Sequence, residues 1–344
     1  MLILKDGTKF EGISIGVKGV KTGPVVLFTG VVGYQELMTD PSNAGKIVVM
    51  TYPLIGNYGV NAKFNESKRA WCSGMVIKES SRISSNFQVE GSFEDFLKHE
   101  EIICLSEVDT RTLAVKIRDD GEQVGTISSK PIEEVESSVS QSFLKDVSVN
   151  APTHAVKGSG KKIAVVDLGV TNSFLNQLKK LGCNVWLMPY DIEPKAILDL
   201  KPDGVIVSNG PEDDSELDST VETVQGILGK VPILGVSTGH LVVARAAGGK
   251  IKKLKIGHRG VNYPVTSRDS YKGEITVQNH GFVVEEKSLD KSIKILETNL
   301  NDKTIEKMSS DKLKFVSVQY FPVSSGFGEP HSVLCDFVME KARK

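Results

Sequence analysis

The segment that most constrains the fold runs from Val231 to His240 and reads VPILGVSTGH. An apolar run, Pro232 to Leu234, has the composition of a buried parallel strand. The pattern G-x-S-x-G follows, and the next residues, LVVARAA, have a helical composition. This order is typical of a nucleophile elbow, in which a strained turn exposes one side chain at the top of a sheet. The segment therefore predicts an α/β sheet and makes Ser237 the candidate nucleophile.

The second half of the chain alternates short apolar strands with helices. The predicted strands are 163–166, 184–188 and 204–208, and the predicted helices are 172–181, 193–200 and 216–228. Parallel strands joined by right-handed helical crossovers follow from this order, so we expect a doubly wound α/β domain. In such sheets ligands bind at the carboxyl ends of the strands, where the turn SNGP and the elbow GVSTG both lie.

The first half, up to about Lys145, has mainly the pattern of β-strands. Segments 2–4 and 8–15 around Asp6-Gly7 predict a hairpin, 24–28 and 47–51 predict strands, and 93–98 and 110–117 predict helices, the last with a cap at Asp109. The segment 147–162 contains small, polar, Gly and Pro residues without periodicity, and we interpret it as a linker. The predicted domains are a β-rich α+β domain over residues 1–146 and the α/β domain over residues 163–344.

Composition excludes several functions. The 344 residues suffice for two or three domains, and the formal net charge of −1 argues against nucleic acid or a membrane surface as partner. No apolar run approaches about 18 residues and no signal-peptide core is present, so we expect a cytoplasmic protein. The four cysteines are scattered, so we expect free thiols and no metal site. No GxxxxGK[ST] or GxGxxG motif occurs, so we expect no cofactor in this chain.

Motifs in both halves, in order along the chain, resemble the small-subunit family of carbamoyl-phosphate synthase. The first half contains GYQELMTDPSNAGKIVVMTYPLIGNYGVN, Gly33 to Asn61, and SEVDTRTL, Ser106 to Leu113, and the second contains VVDLG, SNGP, PILGVSTGH and QNHGF. The resemblance implies that the second half is a doubly wound (flavodoxin-like) class I glutamine amidotransferase domain. It also implies a heteromer with a large subunit, which carries the ATP and Mg chemistry of carbamoyl phosphate synthesis for pyrimidine or arginine biosynthesis.

The resemblance also shows that the catalytic positions are changed. In the family an elbow cysteine attacks the amide of glutamine, and a histidine oriented by a glutamate moves the protons. Here Ser237 stands at the cysteine position, and alignment of the family's G-H-P-E segment puts Phe321 and Val323 at the other two. Loss of a triad member costs on the order of 10⁴ to 10⁶ in turnover. We therefore expect no active catalytic residue, and synthesis from free ammonia by the partner.

A vestigial glutamine pocket is implied as well. Thr238, Leu241 and Glu212 replace the family's Leu, Gln and Gly at three of its positions. The positions that retain the family's residue types are Ser42, Gly210, Asn279, Gly281 and Phe282. Ser42 has a second interpretation, because Asp40-Pro41-Ser42 is also an ordinary turn signal. We therefore expect glutamine binding to be weakened or lost.

The acidic run after the SNGP turn has three interpretations. It consists of Glu212, Asp213, Asp214 and Glu216. The simplest is a solvated surface, the second is a side chain that fills or closes the old pocket, and the third is a clamp for a metal ion.

Three other functions remain open from the sequence. A live serine hydrolase would need a new base, for example His280 or His331, although the resemblance puts His280 in a binding loop. An active glutaminase is suggested by the family and contradicted by the triad positions. The third is a purely regulatory or binding protein that senses glutamine or another small molecule without cleaving it. We expect His240 to be a structural hydrogen-bonding residue.

Overall fold

The change of sequence pattern near residue 145 lies close to the division of the chain into two units. In the computed structural model, the first unit comprises Met1–Gln141 with Lys255–Gly260, and the second comprises Ser142–Leu254 with Val261–Lys344. The structure describes residues 1–135, 142–267, 273–323 and 329–342. The short return of the chain to the first unit at residues 255–260 has no signal in the sequence.

The first half of the chain forms a mixed sheet. Its strands are β1 (Leu2–Leu4), β2 (Lys9–Phe10), β3 (Ile13–Ser14), β4 (Val20–Phe28), β5 (Ile47–Met50), β6 (Leu54–Ile55), β7 (Gly74–Val76), β8 (Glu79–Ser80), β9 (Ile103–Ser106) and β10 (Gln123–Ser128). In the described residues the sheet order is β2-β1-β10-β4-β5-β7-β9-β3, with β6 and β8 as a separate pair. Strands β4, β5, β7 and β9 run parallel to one another, and the other pairings in this sheet are antiparallel.

The predicted N-terminal hairpin is confirmed only in part. Strands β1 and β2 pair antiparallel, whereas β3 leaves the hairpin and pairs with β9. The reason lies at Gly12, where a Cβ atom would come within 2.6 Å of the carbonyl oxygen of Ser106. Glycine thus permits the close approach to β9 that the hairpin pattern does not predict.

Three α-helices accompany this sheet in the described first half: α1 (Tyr34–Thr39), α2 (Phe93–His99) and α3 (Thr110–Asp120). The cap predicted for α3 is confirmed, because the Asp109 carboxylate accepts a hydrogen bond from the N–H of Thr112 at 3.0 Å. Leu113 and Ile117 on α3 pack with Val49 and Leu105 of the sheet in one core.

The doubly wound sheet belongs to the second unit except for residues 255–260 of one of its strands. Its strands are β11 (Thr153–Val156), β12 (Lys162–Val166), β13 (Asn184–Met188), β14 (Gly204–Val207), β15 (Ile233–Val236), β16 (Ile251–Ser267), β17 (Gly273–Val284), β18 (Lys294–Asn299), β19 (Ile305–Ser310) and β20 (Phe315–Val318). The order in the described residues is β11-β13-β12-β14-β15-β20-β19-β18-β16-β17, and β13, β12, β14, β15 and β20 are parallel.

Helices cover both faces of these parallel strands. They are α4 (Leu144–Val147), α5 (Asn172–Lys180), α6 (Pro194–Asp199), α7 (Leu217–Ile227), α8 (Thr238–Ala246) and α9 (Ser332–Asp336), the last continued by a π-helix over Phe337–Lys341. Alternate residues of β12 enter two separate cores: Ala164 and Val166 pack on the side of α7 and α8, and Ile163 and Val165 on the side of α5 and α9. The predicted α/β fold class is thereby confirmed.

Two segments predicted to be irregular contain strands. The predicted linker, 147–162, includes β11, which pairs with the edge of the sheet at β13. Its residues alternate between exposed and half-buried, so an edge strand of this kind has no apolar periodicity to detect. The segment QNHGF, expected as a binding loop, lies within β17.

The described residues include no helix that is long and apolar enough to cross a bilayer. All four cysteines are free thiols, as predicted, and Cys72, Cys104 and Cys183 are buried.

Candidate functional site

Ser237 occupies the sharp turn between β15 and α8. Its φ of 53° and ψ of −112° lie in a region that costs a non-glycine residue about 1–3 kcal/mol. The Ser237 N–H donates to the carbonyl of Val318 on β20 at 2.9 Å, and the Ser237 carbonyl accepts from the N–H of His240 at 2.9 Å. The predicted strand, turn and helix are therefore confirmed, and backbone hydrogen bonds hold the turn on both sides.

The glycines of the elbow are required by packing. A Cβ atom on Gly239 would lie 2.0 Å from the carbonyl oxygen of Val207, and one on Gly235 would lie 2.6 Å from the carbonyl oxygen of Gly239. Contacts this short force a backbone shift. Packing thus explains the two glycines of the G-x-S-x-G pattern without a reaction at Ser237.

The SNGP turn lies against the elbow. Gly239 donates its N–H to the carbonyl of Ser208 at 3.0 Å, and the Thr238 hydroxyl donates to the carbonyl of Gly210 at 2.6 Å. Gly210 is itself packed on the turn after β12, because a Cβ atom there would be 1.8 Å from the carbonyl oxygen of Leu168. These contacts bring the carboxyl ends of β14 and β15 together, as the sequence predicts for a doubly wound sheet.

Glu212 extends from this turn to β17. Its carboxylate accepts hydrogen bonds from the N–H of Gly281, at 2.6 and 2.8 Å to its two oxygens, and from the N–H of Phe282 at 3.2 Å. The Glu212 side chain is buried, with 6% of the residue exposed. Three of the positions assigned to the vestigial pocket are therefore in direct contact with one another.

The rest of the acidic run is divided among separate partners. Asp214 is also buried and accepts from the backbone N–H groups of Leu144, at 3.0 Å, and Glu216, at 2.9 Å. Asp213 pairs with Lys253 at 3.3 Å, and Glu216 pairs with Lys145 at 3.4 Å. The solvated-surface interpretation is wrong for Glu212 and Asp214, because each carboxylate replaces water with backbone donors. The four carboxylates are directed to different partners, and these contacts do not form the metal clamp considered from the sequence.

The distal segment after β20 carries apolar side chains at both aligned catalytic positions. The Phe321 N–H donates to the carbonyl of Val277 at 2.8 Å, and the Phe321 ring lies 6.1 Å from that of Phe174. Val323 is 38% exposed and donates its N–H to the carbonyl of Phe321 at 2.9 Å. Neither side chain has an atom that can accept or release a proton, so neither can serve as general base or orient one.

The histidines proposed as replacement bases have other partners. The ring nitrogens of His280 lie 3.1 Å from the carbonyl of Phe282 and 3.1 Å from the Gln278 amide oxygen. His331 accepts from the N–H of Val333 through Nδ1, and its Nε2 lies 3.2 Å from the Glu274 carboxylate. These ring contacts of both histidines are with residues other than Ser237.

His240 is the histidine nearest to Ser237 in sequence. Its Nδ1 lies 3.0 Å from the hydroxyl of Ser317, and burial lowers the pKa of His240 to about 3. A neutral imidazole with so low a pKa is a poor proton acceptor near pH 7. The predicted hydrogen-bonding role of His240 agrees with this geometry.

Three other residues that were predicted for the pocket lie in a core, in a turn and in a strand. Leu241 is a buried core residue that packs on the α7 side of the sheet. Ser42 belongs to the first unit, in a 3-10 turn, where its N–H donates to the Asp40 carboxylate at 2.8 Å, as the turn interpretation predicts. Asn279 is half-buried in β17, next to the residues that contact Glu212.

Gln177 on α5 is a residue that sequence reasoning missed. Its side-chain amide donates to the carbonyl of Pro322 at 2.8 Å, and its amide oxygen accepts from the N–H of His331 at 2.8 Å. Gln177 thus ties together two points of the chain after β20. A single glutamine within an amphipathic helix gives no sequence signal for such a contact.

Comparison with known proteins gives consistent matches. The family model for the "Carbamoyl-phosphate synthase small chain, CPSase domain" matches residues 2–127, and that for "Glutamine amidotransferase class-I" matches residues 164–341. The carbamoyl phosphate synthase small chain of Syntrophotalea carbinolica is 39% identical over 348 residues, covering 94% of this chain and 93% of the relative. That of Clostridium acetobutylicum is 39% identical over 330 residues, covering 94% of each. Among solved structures, a glutamine amidotransferase from Thermotoga maritima matches with a TM-score of 0.38 and 18% identity, over 50% of this chain and 78% of that one.

Proposed function

The chain belongs to the family of carbamoyl-phosphate synthase small chains, and from this membership we propose that it supports a large subunit without hydrolysing glutamine itself. The large subunit would bind ATP and Mg and make carbamoyl phosphate from bicarbonate and free ammonia. The β-rich first unit would supply much of the docking surface, and the complex would work in the cytoplasm. This chain would need no cofactor of its own.

The observation that carries the proposal is the position of Phe321. An amide hydrolysis through a covalent intermediate needs a base that takes the proton of the nucleophile and returns it to the leaving amine. At the aligned position of that base stands a phenyl ring next to Phe174, and the orienting position is Val323. A serine hydroxyl is a weaker nucleophile than a cysteine near neutral pH and depends more on such a base.

Reconstitution tests the proposal. The purified chain would be combined with its cognate large subunit, and carbamoyl phosphate would be measured with ammonium chloride or with glutamine as nitrogen source. We expect synthesis from ammonium chloride and, with glutamine, a rate about 10⁴-fold lower, the scale of a lost triad member. Glutamine-dependent synthesis at a comparable rate would refute the proposal and favour an active glutaminase.

A serine hydrolase is the second candidate, because Ser237 does lie on a strained elbow. It is tested by covalent labelling with a fluorophosphonate, with Ser237→Ala as the matched control. Labelling of the native chain that Ser237→Ala abolishes would establish a live serine. We expect no labelling, because the ring nitrogens of His280 and His331 are bonded to other residues and the aligned base position is Phe321.

A further inference from the structure

Glu212 makes an unusual contact for a residue in a turn. Its carboxylate accepts from two successive backbone N–H groups, those of Gly281 and Phe282, at 2.6 to 3.2 Å. Two backbone N–H groups of strand β17 therefore converge on one buried carboxylate, and we refer to them as the Gly281–Phe282 donors. Hydrogen bonds to an ionised acceptor are about twice as strong as neutral ones. The group now held there shows that this part of β17 accepts a carboxylate.

The Gly281–Phe282 donors lie on β17, which in the described residues is the last strand in the sheet order. Both donors are bonded to the Glu212 side chain. Glu212 reaches them from the turn after β14, and Gly210 in the same turn is bonded to Thr238, next to Ser237. A connected series of contacts therefore leads from the elbow to the Gly281–Phe282 donors.

From this geometry we propose that Glu212 is an internal ligand. Its carboxylate fills a binding site for small carboxylates, such as amino acids, and excludes free ligands from it. The inference rests on the proposed function, because a chain that hydrolysed glutamine would have to admit it. Among the pocket positions, Glu212 is then the residue that prevents ligand binding, separately from the changed triad that prevents turnover.

A purely structural bridge is the competing interpretation. A bridge and an internal ligand both predict lower stability when Glu212 is removed, because buried N–H groups lose their acceptor. The two interpretations differ in how the variant responds to free carboxylates. Removal of an internal ligand leaves the Gly281–Phe282 donors without their acceptor, and a free carboxylate can replace it, so added ligand restores stability by mass action. A bridge leaves a surface that added carboxylates do not stabilise.

The experiment compares variants of the full chain by calorimetry and thermal unfolding, with L-glutamine and acetate as probes. Glu212→Gly and Glu212→Ala remove the carboxylate. Glu212→Gln keeps the side-chain volume, and Asp213→Gly removes a neighbouring carboxylate that pairs with Lys253 instead. We expect L-glutamine to bind Glu212→Gly and Glu212→Ala at least about tenfold more tightly than the native chain, about 1.4 kcal/mol, and to raise their unfolding temperatures. We expect neither effect in Glu212→Gln or Asp213→Gly.

Several outcomes overturn the inference. Absence of binding to whichever of Glu212→Gly and Glu212→Ala folds, or equally tight binding to the native chain, would show that Glu212 does not exclude a ligand. Binding to Asp213→Gly alone would assign the effect to general acidity. Glutamine hydrolysis by the native chain is a different result, because it would refute the proposed function. Binding without hydrolysis in the glycine variant supports both.

Discussion

The elbow and the distal segment follow two neighbouring parallel strands, β15 and β20, and differ in what maintains them. The elbow at Ser237 is held by backbone hydrogen bonds and by glycines that no larger residue can replace. The distal segment is held through the backbone of Phe321, while its side chain has no group that accepts or releases a proton. The comparison teaches that packing alone is sufficient to explain the shape of the elbow. An elbow geometry is therefore weak evidence of turnover.

The largest expected effect is the loss of stability caused by adding a single methyl group to the elbow. Gly239→Ala places a Cβ atom 2.0 Å from the carbonyl oxygen of Val207, and we expect a loss of about 3 kcal/mol in the free energy of unfolding. Gly248→Ala, at the other end of α8, is the matched control. Gly248 has a φ of 88°, and a Cβ atom added there would meet no atom within 4 Å, so only backbone strain of about 1 kcal/mol is expected. Urea unfolding measures both, and equal losses would contradict the packing explanation.

A pH-dependent effect of about 2 kcal/mol is expected from His240. Burial lowers its pKa from 6.5 to about 3, so between these values the unfolded chain binds a proton that the folded chain does not. Stability therefore falls as the pH falls below 6.5, by about 2 kcal/mol at pH 5, and no such loss occurs above 6.5. Unfolding of the native chain and of His240→Gln from pH 7 to pH 5 checks this. If the free energies of unfolding of the two proteins changed in parallel with pH, His240 would titrate in the folded chain.

A smaller effect in the opposite direction is expected from Ser237→Gly. Glycine adopts a φ of 53° without steric cost, so the variant should gain about 1 kcal/mol in the free energy of unfolding. Ammonium-dependent synthesis with the large subunit should be unchanged, because the proposed function assigns no reaction to Ser237. Loss of that synthesis would show a role for Ser237 in the complex.

The smallest expected effect concerns variants in which one catalytic residue of the family is restored. We expect no gain in glutamine hydrolysis from either of them. Triad members act as a unit, so we expect Ser237→Cys and Phe321→His, each alone, to leave glutamine hydrolysis undetectable. The measurement is ammonia release from glutamine by each purified variant. Hydrolysis by Phe321→His would show that Ser237 is a competent nucleophile with only its base missing.

Much of the fold was predictable because its signals are local. The strands on either side of the SNGP turn and the helix α8 lie within a few residues of their predicted bounds, since apolar runs and turn residues mark them directly. Strand β11 was missed because an edge strand buries little. The pairing of β3 was missed because its partner is β9, about 90 residues away, which pairs with Ile13.

The candidate site likewise contains residues that the sequence identified and contacts that it could not predict. The sequence identified Ser237, Phe321 and Val323, and it raised the closure of the pocket by Glu212 as one interpretation among three. It could not choose among them, because the choice depends on where the carboxylate points. Gln177 gave no signal, because its two partners lie beyond β20 and come near α5 only in the folded chain.

The sequence by itself determined the two patterns of the chain, the strained turn at Ser237 and the apolar residues at the aligned catalytic positions. These follow from residue type and from short-range backbone preferences. Only the tertiary structure decided that Glu212 meets Gly281, 69 positions away, and that the carboxylates of the acidic run have different partners. The physical reason is that a buried charge requires donors, and those donors are supplied by whichever segment the fold brings to it.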